Sequence, residues 1–403
     1  MRILHVSKFA KVTGGVEQHM LDLAHLQIQA GHQTEIFSSE FRESDLNLDP
    51  NKATAASALN TATHILWSGD ARRALKNRIK AFEPDVVHIH SISHQLSASV
   101  LYSVPKNTPV VMTLHDYKLA APCYLLLRDS KPCTECIGLK VPLPAIRYRC
   151  VKNSRLASLI CSTEQILHLR PFQTKIDRFI APSTFAASLL KDSRAVSKDR
   201  ISVVPHGVPT SQRIAKPSES RRFVFVGRLS PEKGLQDLLA AWEMSGIGKR
   251  GYKLDIVGDH PTAISFDETD PSVIRHGWLD RSGIETILSA ARCVVVPSLC
   301  YETFGLVAAE ALATGLPIIT ASSGALTALV TDSAAGALFE PGDRNALAQL
   351  LELHSQSTFG PHLDARGSTG RDFAARQLSP ALMLDRTIQV YREAAYDREV
   401  ELS

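Results

Sequence analysis

The 403-residue chain is 44% hydrophobic and 21% charged, long enough for two domains of ordinary size, each with a packed core. No apolar run approaches 18 residues, which excludes a transmembrane helix, and Met1–Ser7 reads as a first strand because its apolar stretch is too short for a signal peptide. The net charge of +4 hides an asymmetry: residues 1–205 carry 26 Lys and Arg against 17 Asp and Glu, while the remainder carries 19 against 24. Seven cysteines, an odd number, do not suggest a disulfide framework, and a cytoplasmic location follows as the default.

In chain order, Arg2–Ser7 reads as a strand, followed by a loop with Gly14 and Gly15 and a helix from about Val16 to Ala30, stopped by Gly31. Two glycines between a strand and a helix permit positive φ and close backbone approach to a ligand. Thr34–Phe37, Asp85–His90, Val110–His115, Phe179–Ala181 and Ile201–Val204 are further strand candidates. His88 and His90 share one face of their strand. They suit a metal pair, but the sequence places no third ligand, so packing or acceptor contact is the expectation. His115 and Asp116 end the next strand, where an imidazole can donate a hydrogen bond to a sugar or phosphate oxygen.

Cys133-Thr134-Glu135-Cys136 is a C-x-x-C pair, with Cys123, Cys150 and Cys161 nearby. Such thiolate sets suit zinc in a reducing compartment. A thioredoxin-like role is not expected, because no strand leads into the pair. Residues 140–178 then concentrate basic charge: Lys140, Arg147, Arg149, Lys152, Arg155, Arg170, Lys175 and Arg178 against two acids. This is either a solvated surface or the footprint of an anionic partner such as a membrane face or phospholipid-linked substrate. Pro205–Ser220, with three prolines and a glycine among polar residues, reads as a linker between two α/β lobes.

In the second half, strand candidates Phe223–Gly227, Lys253–Gly258, Val273–Gly277, Cys293–Pro297 and Pro317–Thr320 alternate with helices, which implies parallel sheets covered on both faces. Gly227-Arg228-Leu229-Ser230-Pro231-Glu232-Lys233-Gly234 places two cations on a loop after a strand, where Arg grips a diphosphate bidentately and Lys acts as a point charge. Gly246–Gly251 matches G-x-G-x-x-G, but it follows a helix and precedes a strand, the reverse of the context a dinucleotide site needs. The apolar run Cys293–Val296 leads through Pro297 and Ser298 to Glu302-Thr303-Phe304-Gly305-Leu306-Val307-Ala308-Ala309-Glu310. The helix opening at Phe304–Gly305 offers backbone N–H donors to a phosphate, with Glu302 near its mouth and Glu310 set back. That arrangement suits a ligand with a diphosphate between two hydroxyl-rich ends. No D-x-D pair occurs, in keeping with neutralisation of a diphosphate by Arg228, Lys233 and helix N-termini.

The stretch from Glu302 to Glu310 resembles the E-x-F-G-x-x-x-x-E signature of glycosyltransferase family 4, retaining enzymes of GT-B fold. Residues 227–234 resemble the same family's G-R-x-x-x-x-K-G element. The resemblance spans nearly the whole chain and is more specific in the second lobe. It implies a GT-B fold: an acceptor-binding Rossmann-like lobe at residues 1–205, a donor-binding lobe at 206–378, and a final helix at 379–400 packing back on the first. It implies that Glu310 binds the ribose hydroxyls of a nucleotide-diphosphate sugar. Glu302 then contacts the transferred sugar, and the Phe304, Gly305 and Leu306 backbone meets diphosphate and sugar. Arg228 and Lys233 hold the donor phosphates, Gly14 and Gly15 face the diphosphate, and His115 faces the sugar, so His115, Arg228, Lys233 and Glu302 are the catalytic candidates.

Some members of the family carry a cysteine-rich insert here, which makes Cys123, Cys133, Cys136 and Cys150 candidate ligands of a structural zinc. Ala121 stands where the first cysteine normally precedes the proline, and Cys123 follows Pro122, so the set departs from the pattern. His206-Gly207-Val208 and Gly258-Asp259-His260-Pro261 also depart from it in ligand-facing loops. No cofactor is expected to be required for catalysis. The expected function is retaining, metal-independent transfer of a sugar to a glycan or polyprenyl-linked acceptor in cell-surface polysaccharide or lipopolysaccharide synthesis. The expected location is cytoplasmic, with peripheral association at the inner, anionic face of the plasma membrane and no nucleic-acid partner. The alternative is a non-catalytic GT-B subunit that binds a partner transferase, against which the intact donor motifs argue. A sugar phosphorylase would need a lysine-bound pyridoxal phosphate, to which no feature points.

Overall fold

The computed structural model describes residues 1–12, 14–39, 65–193, 195–259 and 270–402. His260 and Pro261 therefore lie outside the described residues. The chain divides into two compact units: Met1–Tyr124, Thr134–Pro205 and Pro380–Ser403 form one, and Leu125–Cys133 with His206–Ser379 the other.

The first unit is built on β1 (Arg2–Ser7), α1 (Gly15–Gln29), β2 (Gln33–Phe37), α2 (Gly69–Phe82), β3 (Val86–Ser91) and β4 (Val110–Thr113). A two-stranded hairpin, β5 (Leu127–Arg128) and β6 (Lys131–Pro132), interrupts it in sequence. Then come α3 (Leu143–Arg147), α4 (Arg155–Lys175), β7 (Arg178–Ala181), α5 (Thr184–Asp192) and β8 (Ile201–Val203). The six long-range strands pair in parallel in the order β2-β1-β3-β4-β7-β8. The central strands are buried along their length, as both-face burial in a parallel sheet requires. Serine caps start the helices: Ser68, Ser154 and Ser183 accept from the amides of Ala71, Ala157 and Ala186. Ile3, Leu23, Val86, Val111 and Ile180 form a core with Met383, Ile388, Tyr391 and Ala394 of the last helix.

The second unit repeats the plan with β9 (Arg222–Val226), α6 (Leu235–Ser245), β10 (Lys253–Val257), β11 (Val273–Gly277), α7 (Arg281–Ser289) and β12 (Cys293–Val296). It continues with α8 (Leu306–Thr314), β13 (Ile318–Ala321), α9 (Ala325–Ser333), β14 (Gly336–Phe339), α10 (Arg344–Ser355) and α11 (Gly360–Gln377), and the chain ends in α12 (Pro380–Leu402). The sheet order is β11-β10-β9-β12-β13-β14, all parallel. The strand order reverses between β9 and β12, so the loops after these two strands flank the sheet's switch point, where open α/β sheets bind ligands. In the first unit the reversal falls between β1 and β3.

The stretch expected to be a linker is instead packed onto the second unit. Val208 and Ala215 are buried, their amides donate to Leu378 O and Thr314 O, and buried Arg292 donates to the carbonyls of Pro217 and Ser220. Proline-rich composition signals irregular backbone, and here several groups of that backbone find fixed partners within the protein. No helix among the described residues is long and apolar enough to cross a membrane.

Candidate functional site

The loop leaving β9 runs through Gly227, half-exposed Arg228 and buried Leu229 and Ser230 into one tight turn, Pro231–Lys233. Gly234 then caps α6 with φ +71°, and a Cβ there would overlap Pro297 O in the loop after β12. Glycine at 234 thus lets the two loops touch at the switch point, an approach no other residue allows. The Leu299 amide donates to Glu232 O at 2.9 Å and ties the same loops together.

This contact sets the polar centre. Lys233 Nζ donates to Glu302 Oε1 at 2.6 Å, and Ser298 Oγ donates to the same oxygen at 2.6 Å. Burial alone would raise the Glu302 carboxyl, but the Lys233 charge and the two hydrogen bonds hold it below its usual range. Burial would likewise lower the Lys233 ammonium, yet Glu302 raises it. Both groups are therefore charged at neutral pH. Beside them Glu232 Oε1 accepts from Ser230 Oγ at 2.7 Å and from Arg228 Nη2 at 3.3 Å. Each cation of the β9 loop thus has a carboxylate partner.

Glu302 is also fixed through its backbone. It bridges Gly324 in parallel, its carbonyl accepts from Ala325 N at 2.9 Å, and a Cβ on Gly324 would overlap its main chain. Phe304 is buried in the core beneath, edge-on to His206 at 5.0 Å between ring centroids. Gly305 is the N-cap of α8 and supplies no side-chain cap, and neither does Gly234 at α6. Leu306 opens α8, and half-buried Glu310 lies just over one turn along it.

In the first unit, Gly14 caps α1 and Gly15 opens it, in the loop after β1, and His115 lies just beyond β4. Gly14 has φ −179°, extended backbone that any residue adopts, so the expected need for positive φ does not hold there. His115 does not stand alone. His90 Nδ1 lies 3.1 Å from His115 Nε2, His5 Nδ1 lies 2.9 Å from His90 Nε2, and the His88 and His90 rings lie 4.2 Å apart. Burial pushes His5 down to about 4 and His115 down to about 3, so these imidazoles are neutral at physiological pH. Asp116 accepts from the Lys118 amide at 2.9 Å and shapes the turn.

Among the described residues, three sets bring three metal-capable donor atoms within 4.8 Å of one another: His5, His88 and His90; His19, His90 and His115; and His94, Cys161 and Glu164. Cys123, Cys136 and Cys150 of the first unit are in none of them, and Cys133 directly follows the β5–β6 hairpin. In the third set the Lys118 ammonium lies 3.0 Å from Glu164 Oε2, so a cation already occupies that carboxylate.

The sequence reading missed Ser298, the Ser230–Glu232 pair and the partners of the His88–His90 strand. His5 carried only the weak signal of a polar residue inside the apolar run Ile3-Leu4-His5-Val6. Ser298 carried none, since only the folded loop turns it toward Glu302.

Residues 13–212 match the family model described as Glycosyltransferase Family 4, and residues 220–354 match the one described as Glycosyl transferases group 1. The chain is 25% identical over 366 residues to the phosphatidyl-myo-inositol mannosyltransferase of Mycolicibacterium smegmatis, which covers 87% of this chain and 84% of that one. In fold it is similar to sucrose-phosphate synthase from Thermosynechococcus elongatus, with TM-score 0.68 at 19% identity, over 97% of this chain and 98% of that one. It is also similar to Anabaena HepE in complex with UDP-glucose, with TM-score 0.62 at 17% identity, over 98% of this chain and 100% of that one. The fold of this chain is GT-B.

Proposed function

The chain belongs to the glycosyltransferases, with a family 4 region followed by a group 1 region, and from that premise we propose that it moves a sugar, with retention, from a nucleotide-diphosphate sugar to a glycan or polyprenyl-linked acceptor. The observation that carries the reading is the Lys233–Glu302 pair at the switch point of the second unit's sheet, between two helix N-termini without side-chain caps. Lys233 and Arg228 hold the diphosphate and stabilise its charge as it departs, aided by the α6 and α8 amides. Glu302 takes a sugar hydroxyl and Glu310 the ribose. These protein cations make a metal unnecessary for holding the diphosphate. The mannosyltransferase relative and the UDP-glucose complex of HepE support a sugar-nucleotide donor of this kind.

The test is a thermal-shift screen against UDP-, GDP-, ADP- and TDP-sugars, followed by glycosyl transfer with product anomers read by NMR in the presence of EDTA. A matching donor at a hundredfold excess over its Kd raises stability by about 2.7 kcal/mol. Stabilisation by one sugar nucleotide and a retained anomer are expected. Stabilisation by none overturns the donor assignment. Activity lost to EDTA and restored by Mg or Mn overturns metal independence.

A further inference from the structure

We propose that His94 is an acceptor-binding residue of the first unit, with Glu164 and Lys118 as its positioning residues, and that the outward edge of its imidazole takes a sugar hydroxyl of the acceptor. That the ligand is an acceptor glycan rests on the function proposed above, whereas the held imidazole belongs to the first unit alone.

His94 lies in the loop that leaves β3, one of the two strands between which the order of the first sheet reverses. Loops in that place flank the switch point, where open α/β sheets bind ligands. Its backbone has φ +72°, in the left-handed region that a residue with a Cβ adopts at a cost.

A carboxylate from another element holds the residue in that conformation. Glu164 of α4, only 1% exposed, meets His94 with both oxygens: the His94 amide donates to Oε1 at 3.2 Å, and Nδ1 lies 3.3 Å from Oε2. Lys118, on the loop leaving β4, sets Nζ 3.0 Å from the same Oε2 and also donates to Pro122 O at 3.2 Å. Burial alone would raise the Glu164 carboxyl, but the contacts from His94 and Lys118 hold it at about 2, so it is ionised.

An ionised carboxylate only accepts, so the ring nitrogen that faces it carries a proton. Turning the ring over would set a C–H against that buried carboxylate, which disfavours the alternative. His94 keeps 33% of its side chain exposed although Nδ1 is buried, so the Nε2 edge is the part that faces out. Among the described residues Nε2 meets no partner. Beside it, the Gln95 side-chain oxygen is buried without a partner among the described residues. Whichever way that amide is turned, an unmatched polar atom stands there, and such atoms call for a ligand or solvent partner. A bare imidazole nitrogen backed by a carboxylate attracts a hydroxyl and repels a phosphate oxygen.

His94→Asn separates binding from support. Asparagine tolerates positive φ and keeps an N–H for Glu164, but it lacks the outward nitrogen. The full chain labelled with 15N-histidine is titrated, without donor, with the methyl α-glycosides of glucose, galactose and mannose. His94 is assigned by its loss from the His94→Asn spectrum. Its Nε2 resonance is expected to move with at least one glycoside, while that of buried His354 in the second unit stays in place. In transfer to that glycoside, His94→Asn should raise acceptor KM about tenfold, the effect of one lost hydrogen bond, with donor KM rising far less. Glu164→Gln, which loosens the ring, should raise acceptor KM as well, and should it not fold, His94→Asn carries the test alone. No movement of His94 with any glycoside, an unaltered acceptor KM in folded His94→Asn, an equal rise in donor KM, or stoichiometric zinc on His94 and Cys161 overturns the proposal. Stabilisation by no sugar nucleotide would strike the proposed function, while the glycoside titration is read without a donor.

Discussion

Lys233 Nζ lies 2.6 Å from Glu302 Oε1, across 69 positions of sequence, in side chains that are 24% and 16% exposed. The cation proposed for the diphosphate and the carboxylate proposed for the sugar thus hold each other in place. A donor diphosphate arriving beside Lys233 finds the ammonium already oriented, so less side-chain freedom is lost on binding.

The pair is expected to be strongly coupled. Lys233→Ala leaves a mostly buried carboxylate without its cation and should destabilise the fold more than Glu302→Gln, which keeps a hydrogen-bonding group for Ser298. A double-mutant cycle on urea unfolding should give a coupling of about 1–3 kcal/mol. Lys233→Ala should also lose on the order of a hundredfold in turnover at saturating donor. Additive stabilities, or near-normal turnover, would remove the pair from the site.

Glu310→Gln tests the other end of the donor. The residue is half-buried on α8, and glutamine matches glutamate in shape, so the amide fits without repacking. Losing a charged hydrogen bond to ribose costs roughly 1.5–3 kcal/mol, about ten- to a hundredfold in donor affinity. Titration calorimetry should show that loss with an unchanged unfolding midpoint. Unaltered affinity would end the ribose assignment.

The doubly wound fold was legible because apolar β-branched runs such as Cys293–Val296 alternate with glycine-stopped helices such as Leu306–Thr314. Lys233 and Glu302 were legible as separate motif positions, each tied to a strand end. Their direct pairing was not, because it depends on Gly234 packing against Pro297, a tertiary contact with no local pattern. The histidine network was hidden for a similar reason. His5 looks like a lone residue in an apolar strand, and His88 and His90 like a pair without a third partner, until parallel register sets β1 beside β3. Pro205–Ser220 misled because composition reports irregular backbone without reporting what satisfies it.

The buried histidines set the acid limit of stability. Folding lowers His5 from its ordinary 6.5 to about 4 and His115 to about 3, so the unfolded chain binds more protons than the folded one between those values. Their contribution is fully present above pH 6.5 and is lost as pH falls from there toward 4 and then 3. Each such histidine adds a slope of up to about 1.4 kcal/mol per pH unit in that window. The unfolding midpoint should therefore fall steeply below pH 6, and His5→Gln should flatten the fall even if it lowers stability at pH 8. A midpoint independent of pH between 7 and 4.5 would contradict neutral burial.

Membrane association is expected to run through α3 and α4. On α4, Leu156, Leu159, Ile166 and Leu167 are exposed at helical spacing, so they form an outward stripe, and Leu143 and Tyr148 are exposed just before it. Lys140, Arg147, Arg149, Lys152 and Arg155 are exposed in the same stretch. Phe172 is buried, and Arg178 is held by Asp397 at 2.5 Å, so neither belongs to this surface. An apolar stripe flanked by cations suits the boundary of an anionic bilayer, where each basic residue contributes about 1 kcal/mol within a Debye length. Vesicle co-sedimentation should show binding to anionic but not neutral lipid, weakening as salt rises. Leu156→Ser with Leu159→Ser should reduce it while leaving transfer to a soluble acceptor analogue unchanged. Equal indifference to both lipids at low salt would leave the stripe without a membrane role and favour a soluble acceptor.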